Sequence, residues 1–318
     1  MSTFTEFTGL YSLIEYFKDE KTCHQYIAEK RWNGLMLCPH VMCDGEEAYV
    51  FKDGVRYKCK SCYRIYTAKT RTIFEHSKLP LKLWFIAMYH VMYDKGISSI
   101  QFSKNYHICQ KTAWILLQKI RTVLAKIPHD TTLEGVVEID EAYIGGKNGN
   151  RHHHKKTKVI KDNEDREFQD KTTVLGLMER GTGFVKTFIV DNRQKSTLTK
   201  AIYKTVLPGS TIMTDEWRGY NDVIHHYNRL VVNHKSRQYV KGDIHTNTLE
   251  GYWTILKRMI KGRHHWVSKR HLSRYLAESA YRYNSRLKNV GSKFDEFING
   301  CSKVIIRVKQ LMGIGLAI

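Results

Sequence analysis

The chain reads as an α/β domain preceded by a small cysteine-bearing ribbon and a helix-turn-helix, and three observations predict this. From about residue 134 onward, β-like and helical segments alternate, the pattern of a layered α/β structure. Four of the seven cysteines fall in one short segment, at positions 38, 43, 59 and 62. Between these regions, residues 78–126 carry three runs of helical periodicity. With 318 residues there is room for two domains, and 42% hydrophobic with 12% aromatic residues describes a folded protein.

The charge balance points to a polyanionic partner. Lys and Arg number 52 against 31 Asp and Glu, a formal net charge of +21. Each neutralised phosphate releases counterions, so such an excess adds sequence-independent affinity for nucleic acid. A basic chain also suits anionic lipid. No apolar run reaches the roughly 18–20 residues needed to span a bilayer, and Met1–Gly9 lacks the charged and apolar regions of a secretory signal. The expected partner is double-stranded DNA, with no membrane. The odd cysteine count and the clustered four fit a reducing compartment and a metal site better than a disulfide framework.

Residues 1–32 form an N-terminal helical segment, with Leu10, Leu13, Ile14 and Phe17 at helical spacing and a break at Asp19-Glu20-Lys21. Residues 33–76 hold the cysteines. Cys38 and Cys43 are followed, fifteen intervening residues later, by Cys59 and Cys62. Tetrahedral zinc takes four soft ligands, and two closely spaced pairs on two knuckles supply them. Ala48–Phe51 and Val55–Lys58 flank Lys52-Asp53-Gly54, whose Asp-Gly favours a hairpin turn, so the layout is that of a zinc ribbon. The first pair is wider than the common C-x-x-C, which leaves His40 as an alternative ligand. With four protein ligands the zinc is structural, because no position stays open for chemistry. Cys23, Cys109 and Cys301 have no partners at ligand spacing and read as core residues.

Residues 77–130 form the helical region. Leu81, Trp84, Phe85, Met88, Val91 and Met92 share one apolar face. Ile97–Lys104 then makes a short helix, Tyr106–Cys109 a turn, and Gln110–Arg121 a longer helix. Two short helices joined by a tight turn match the unit whose second helix enters the major groove, which sets Gln110, Lys111 and Thr112 nearest the bases. An ordinary helical bundle shows the same apolar stripe. The neighbouring ribbon and the net charge favour DNA.

In residues 131–286, Val136–Glu141 and Thr211–Glu216 are strands carrying acids near their ends, and Asn247-Thr248-Leu249-Glu250 opens a basic helix. Asp215 and Glu250 are separated by 34 residues. Acids on apolar strands are costly to bury unless a divalent cation compensates them. Two such ions roughly 3.5–4 Å apart clamp the attacking and leaving oxygens of a phosphoryl displacement, and hard Mg²⁺ or Mn²⁺ suits carboxylates. Neighbouring residues on a strand face opposite sides, so Asp140 and Glu141 cannot both enter one site, nor can Asp215 and Glu216. The shorter Asp fits a rigid site; the Glu of each pair is left for solvent or a salt bridge. Asn247, Glu250 and Lys257 fall at helical intervals on one face. Lys257 is either a DNA-phosphate contact beside the cut or a solvated surface lysine.

A basic insertion at about 148–171 contains Arg151-His152-His153-His154-Lys155-Lys156 and the acids Asp162, Glu164 and Asp165. Consecutive histidines rarely converge on one ion, so it reads as a mobile basic loop near DNA. Residues 287–318 read as a C-terminal helical tail, with Phe294–Met312 an amphipathic helix for packing or assembly.

At these residues the chain resembles the bacterial insertion-sequence transposases that pair an N-terminal zinc ribbon with a DDE domain, the group to which eukaryotic Merlin elements are related. The resemblance runs from Arg31-Trp32-Asn33-Gly34 to Tyr281-Arg282-Tyr283-Asn284. Its most specific pieces are Glu138–Lys147, Thr214-Asp215-Glu216-Trp217-Arg218-Gly219-Tyr220 and His245–Trp253, with His271-Leu272 and Arg274-Tyr275-Leu276 in the closing segment. It implies an RNase H-like catalytic fold, with Asp140, Asp215 and Glu250 as ligands of two Mg²⁺ or Mn²⁺ ions and Lys257 as the basic residue that follows. Asn247, Lys257 and Arg258 then contact DNA. The activity implied is cleavage and transfer of transposon ends into target DNA, by a homodimer or a higher synaptic assembly. The compartment is the cytoplasm or nucleoid of a bacterium, or the nucleus of a eukaryote. The rivals are a domesticated, non-catalytic DNA-binding regulator and a metal nuclease of similar fold. The first is disfavoured by three intact acids, the second by a sequence-reading front end.

Overall fold

A computed structural model describes residues 7–127, 131–146, 171–232, 245–302, 304–306 and 308–312. The basic insertion expected at about 148–171 lies outside the described residues except for Lys171. The chain divides into two compact units, one taking residues 1–128 and 287–318, the other 129–286.

The first unit begins with α1 (Leu10–Tyr16) and α2 (Glu20–Trp32). They separate at Asp19, whose carboxylate accepts the Thr22 amide and caps α2. Asn33, at φ 45°, ends α2 in the left-handed region. Strands β1 (Ala48–Val50), β2 (Arg56–Cys59) and β3 (Ile65–Thr67) form an antiparallel sheet in that order. Asp53 makes the β1–β2 turn by accepting the Val55 and Arg56 amides, and Gly54 takes the φ of 68° that the turn requires. Alternation buries Tyr57 and Tyr66, which pack edge-on against Trp32. The third strand, β3, was not evident from sequence. Helices α3 (Leu81–Met92), α4 (Ser99–Asn105) and α5 (Gln110–Leu124) follow, close to their predicted spans. Ser98 caps α4 through the Gln101 amide. Cys109, expected in the core, is exposed, because it is the residue from which α5 starts and its side chain stays outside the helix packing. Cys23 and Cys301 are buried as expected.

The second unit is built on a five-stranded mixed sheet of order β6-β5-β4-β7-β8. Its strands are β4 (Val136–Ile144), β5 (Thr172–Glu179), β6 (Val185–Val190), β7 (Thr211–Asp215) and β8 (Asn228–Val232). β4, β5 and β6 pair antiparallel, whereas β4, β7 and β8 pair parallel. On one face lie α6 (Lys195–Thr205) and a 3₁₀ turn (Arg218–His225), with Val137, Ile139, Leu175 and Leu177 in their core. On the other lie α7 (Asn247–Met259) and α8 (Lys269–Asn284), packed on Ala142, Ile144, Val174 and Met178. No helix among the described residues is long and apolar enough to cross a membrane.

After residue 286 the chain re-enters the first unit as α9 (Val290–Cys301) and α10 (Val308–Leu311). The single helix expected over Phe294–Met312 is therefore broken. Val304-Ile305-Ile306 alternates buried, exposed, buried, which is extended packing, and β-branched residues favour it over helix. α9 is held by Asp295, which accepts Tyr26 Oη at 2.7 Å and Lys30 Nζ at 2.8 Å. Phe294 sits fully buried against Phe7 and Phe85. Phe294→Ala is expected to cost about 3–5 kcal/mol through lost burial and the cavity left, read as a lowered denaturation midpoint. An exposed control on the same helix, Asn299→Ala, should shift it far less.

Candidate active site

Strand alternation decides where each acid of β4 points. Asp140 lies on the α7 face, where Trp253 Nε1 donates to its Oδ2 at 3.0 Å. The parallel pairing of β4 with β7 sets Glu138 opposite Met213; continued two residues, that register puts Asp140 level with Asp215, whose charge Asp140 feels. Asp215 ends β7, and its Oδ1 accepts the Trp217 amide at 3.0 Å. Glu250 stands in the first turn of α7, exposed, one turn before Trp253. Burial, reinforced by the Asp215 and Glu250 charges, pushes the Asp140 pKa up to about 6. The three acids thus share one face without closing on one another as tightly as the ribbon cysteines do. Among the described residues those four cysteines are the only metal-competent group with all ligand atoms within 4.8 Å.

The backbone opposite Asp140 explains how an indole reaches it. Gly176 pairs with Asp140 across β4 and β5, and a Cβ there would lie 2.4 Å from the Trp253 ring. The sheet is bare at that point because the tryptophan occupies the space.

Glu138, two residues earlier on the same face, is fully buried. Its Oε1 pairs with Arg180 at 2.9 Å, and its Oε2 accepts the Leu249 amide of α7 at 2.9 Å. Arg180 also donates to the His245 carbonyl at 2.8 Å. A buried carboxylate therefore caps the helix that presents Glu250, satisfying an amide that the helix leaves free and favoured by the positive end of its dipole.

Glu141 points to the opposite face. It is buried with Oε1 3.6 Å from Arg193 Nε, so of the solvent-or-salt-bridge alternatives it takes the ion pair. Burial pushes its pKa up to about 7 against the opposing pull of Arg193. Arg193 lies over the Trp217 ring at 4.3 Å. Arg229 donates to the carbonyls of Asp215 and Trp217 and to Thr214 Oγ1, bracing the turn that follows β7. Glu216 is half-buried.

For Asp140 and Glu141 the folded pKa exceeds the unfolded one, so the folded chain holds more protons between the two values. Their contribution to stability is then lost as pH rises from about 4 to about 7. For Asp140 the cost at neutral pH is of order 3 kcal/mol, and a bound cation would offset it.

Asn247, Lys257 and Arg258 are exposed on α7. In the other unit, Gln110 and Lys111 are exposed and Thr112 half-buried on the first turn of α5, with Gln110 Nε2 donating to Ser99 Oγ of α4. Cys38 and Cys62 Sγ lie 3.7 Å apart, as do those of Cys43 and Cys59. Cys59 Sγ accepts the Ser61 and Cys62 amides, which draw its pKa down to about 6 and so favour a thiolate. The His40 ring packs edge-on to Tyr66 and lies outside the four-sulfur group. Soft thiolates at this spacing fit structural zinc.

The sequence shows Trp253 only as the last residue of the His245–Trp253 match, with no role attached, and gives no role to Gly176, Arg180 or Arg193. The one available signal was a glycine inside an otherwise apolar strand, which marks a close approach.

Two outcomes test this geometry. Gly176→Ala should destabilise by about 1–3 kcal/mol through overpacking, and combined with Trp253→Leu the two costs should fall well short of additive in denaturant titrations. Purified protein should carry one zinc per chain by elemental analysis. Chelation or Cys62→Ser should release it and lower the melting temperature.

Comparison with known proteins agrees with this architecture. Residues 132–284 match the model of the ISXO2-like transposase domain, and residues 18–64 that of the transposase zinc-ribbon domain. An uncharacterized protein in transposable element ISH50 of Halobacterium salinarum is 31% identical over 271 residues, covering 83% of this chain and 90% of the relative. An uncharacterized transposase-like protein of Haemophilus influenzae is 28% identical over 118 residues, 36% of this chain and 94% of the relative. A four-cysteine ribbon ahead of a mixed sheet with acids on two adjoining strands, together with these matches, makes the chain a member of the ISXO2-like DDE transposase family with an N-terminal transposase zinc ribbon.

Proposed function

We propose that this transposase binds the terminal inverted repeats of a mobile element and cuts and joins their ends at Asp140, Asp215 and Glu250, on an RNase H-like fold. The observation that carries the reading is the placement of Asp140 and Asp215 on adjoining parallel strands beneath the helix bearing Glu250. Asp140, whose proton affinity the Asp215 and Glu250 charges raise, makes with those two acids an oxygen-rich, anionic donor set, which fits two hard divalent cations, Mg²⁺ or Mn²⁺. Bound there, such ions would lower the pKa of water and stabilise charge on both oxygens of an in-line displacement.

The chain's own residues supply position. Trp253 fixes the Asp140 carboxylate, Glu138 fixes α7, and Arg229 fixes the turn carrying Asp215. Lys257 and Arg258 would neutralise the phosphates beside the cut, and Asn247 on the same helix would donate a hydrogen bond to them. Water adds to phosphorus and the bridging 3′-oxygen departs, leaving a 3′-hydroxyl and a 5′-phosphate. That hydroxyl then attacks a target phosphodiester and displaces another 3′-oxygen, so no covalent protein intermediate is needed. The ribbon and the α4–α5 pair, with Gln110, Lys111 and Thr112 nearest the bases, would hold the repeat. Joining two ends calls for two or more copies of the chain.

Purified protein incubated with labelled end DNA and Mg²⁺ should nick and then join it. Asp140→Ala and Glu250→Gln should lower the rate at least 100-fold while leaving binding intact. Stabilisation by Mg²⁺ should be clear at pH 7.5 and fade below about pH 6 as protons compete for Asp140. Binding without cleavage by the unaltered chain would identify a regulator, and cleavage without joining a nuclease.

A further inference from the structure

Beyond α7 the helix widens into a π-helical turn, Ile260–His264, and His265 at φ 58° turns the chain back. Such turns recur at functional sites. This one holds Trp266 67% exposed, the most exposed of the six tryptophans. An indole left in solvent beside ammonium groups offers a stacking face with positive charge at its rim.

Trp266 forms one wall of a groove of about 400 Å³. Tyr143 and Gly145 at the end of β4 line it, as do Lys257, Lys261 and His265. The groove starts where the acid site stops: Lys257 is two helical turns beyond Glu250, about 10 Å along the axis. Cations at the end of a helix are expected from its dipole alone, which accounts for Lys257 and Lys261. It does not account for the bare indole between them and the strand end. A planar ring beside flanking ammonium groups is the arrangement that holds an unpaired nucleotide, with the ring under the base and the cations on its phosphates. The pocket has room for one base and its sugar, and not for a paired stack.

We propose that this groove takes an unpaired nucleotide of the DNA strand bound at the acids, its base stacked on Trp266 and its phosphates on Lys257 and Lys261. The proposal rests on the DNA-cleavage reading above. Stacking uses a face that every base has, so the groove tolerates any sequence and serves to hold the strand open beside the cut.

The test uses the full chain without added Mg²⁺ and two DNA ends carrying 2-aminopurine at the flank, one fully paired and one with three unpaired nucleotides. The unaltered chain should quench the probe on the unpaired end. Trp266→Ala should abolish the quenching and weaken binding of that end about tenfold (1.4 kcal/mol), with Trp266→Phe intermediate and paired-end affinity unchanged. Because the side chain is exposed, the variant should keep its far-ultraviolet spectrum and melting temperature. Equal quenching by Trp266→Ala and the unaltered chain, or none by either, overturns the groove. The two readings separate cleanly in the presence of Mg²⁺. Normal cleavage without Trp266-dependent quenching removes the groove alone, and quenching without any cleavage removes the acid-site reading alone.

Discussion

The second unit is organised around one buried carboxylate. Asp140 sits within the sheet, opposite a glycine and beneath an indole, and its charge has little water to stabilise it. Two neighbouring features bear on that difficulty and a third sharpens it. Gly176 vacates the space the indole needs, Trp253 supplies a hydrogen-bond donor, and the parallel register of β4 and β7 brings a second acid alongside instead of a base. For the metal-free protein this arrangement is costly. Groups that oppose stability in this way cluster where a charged ligand is meant to arrive.

Two other acids of the same strand show what burial without a ligand requires. Glu138 meets an arginine and a helix amide, and Glu141 meets a second arginine on the far face. Glu138 is thereby compensated inside the protein, and Glu141 only in part, since burial still outweighs the pull of Arg193. Among the described residues, Asp140 has only the indole of Trp253 as a side-chain hydrogen-bond donor and faces two further carboxylates. Three acids of one strand thus diverge in role through the partners that other elements bring.

That divergence also explains which features were legible in the sequence. The cysteine spacing was readable because ligand geometry is local to two knuckles. The spans of α3, α4 and α5 were readable from apolar periodicity. The placing of Asp215 at a strand end and Glu250 at a helix start followed from β-like runs and from motif resemblance, whereas Asp140 falls in the middle of β4, which runs on to Ile144 beyond the expected end at Glu141. Glu138 gave no such sign: an acid on a strand looks the same whether it titrates at a site or caps a helix over a hundred residues away. Arg180 and Arg193 were invisible for the same reason. β3 is only three residues long, too short for its alternation to register. The fate of the C-terminal segment depended on partners in α2 and α3, which no local pattern reveals.

The return of α9 to the first unit makes the catalytic unit an insertion, entered and left by the chain at two separate points. Phe294 and Asp295 complete a core begun by Phe7, Phe17, Tyr26 and Phe85. During synthesis the ribbon and its helices therefore leave the ribosome with one wall missing, and cannot close until residue 301 has emerged. A truncated message would yield a complete acid-bearing sheet attached to an unfinished first unit. Full-length translation is thus a physical precondition for a finished front end.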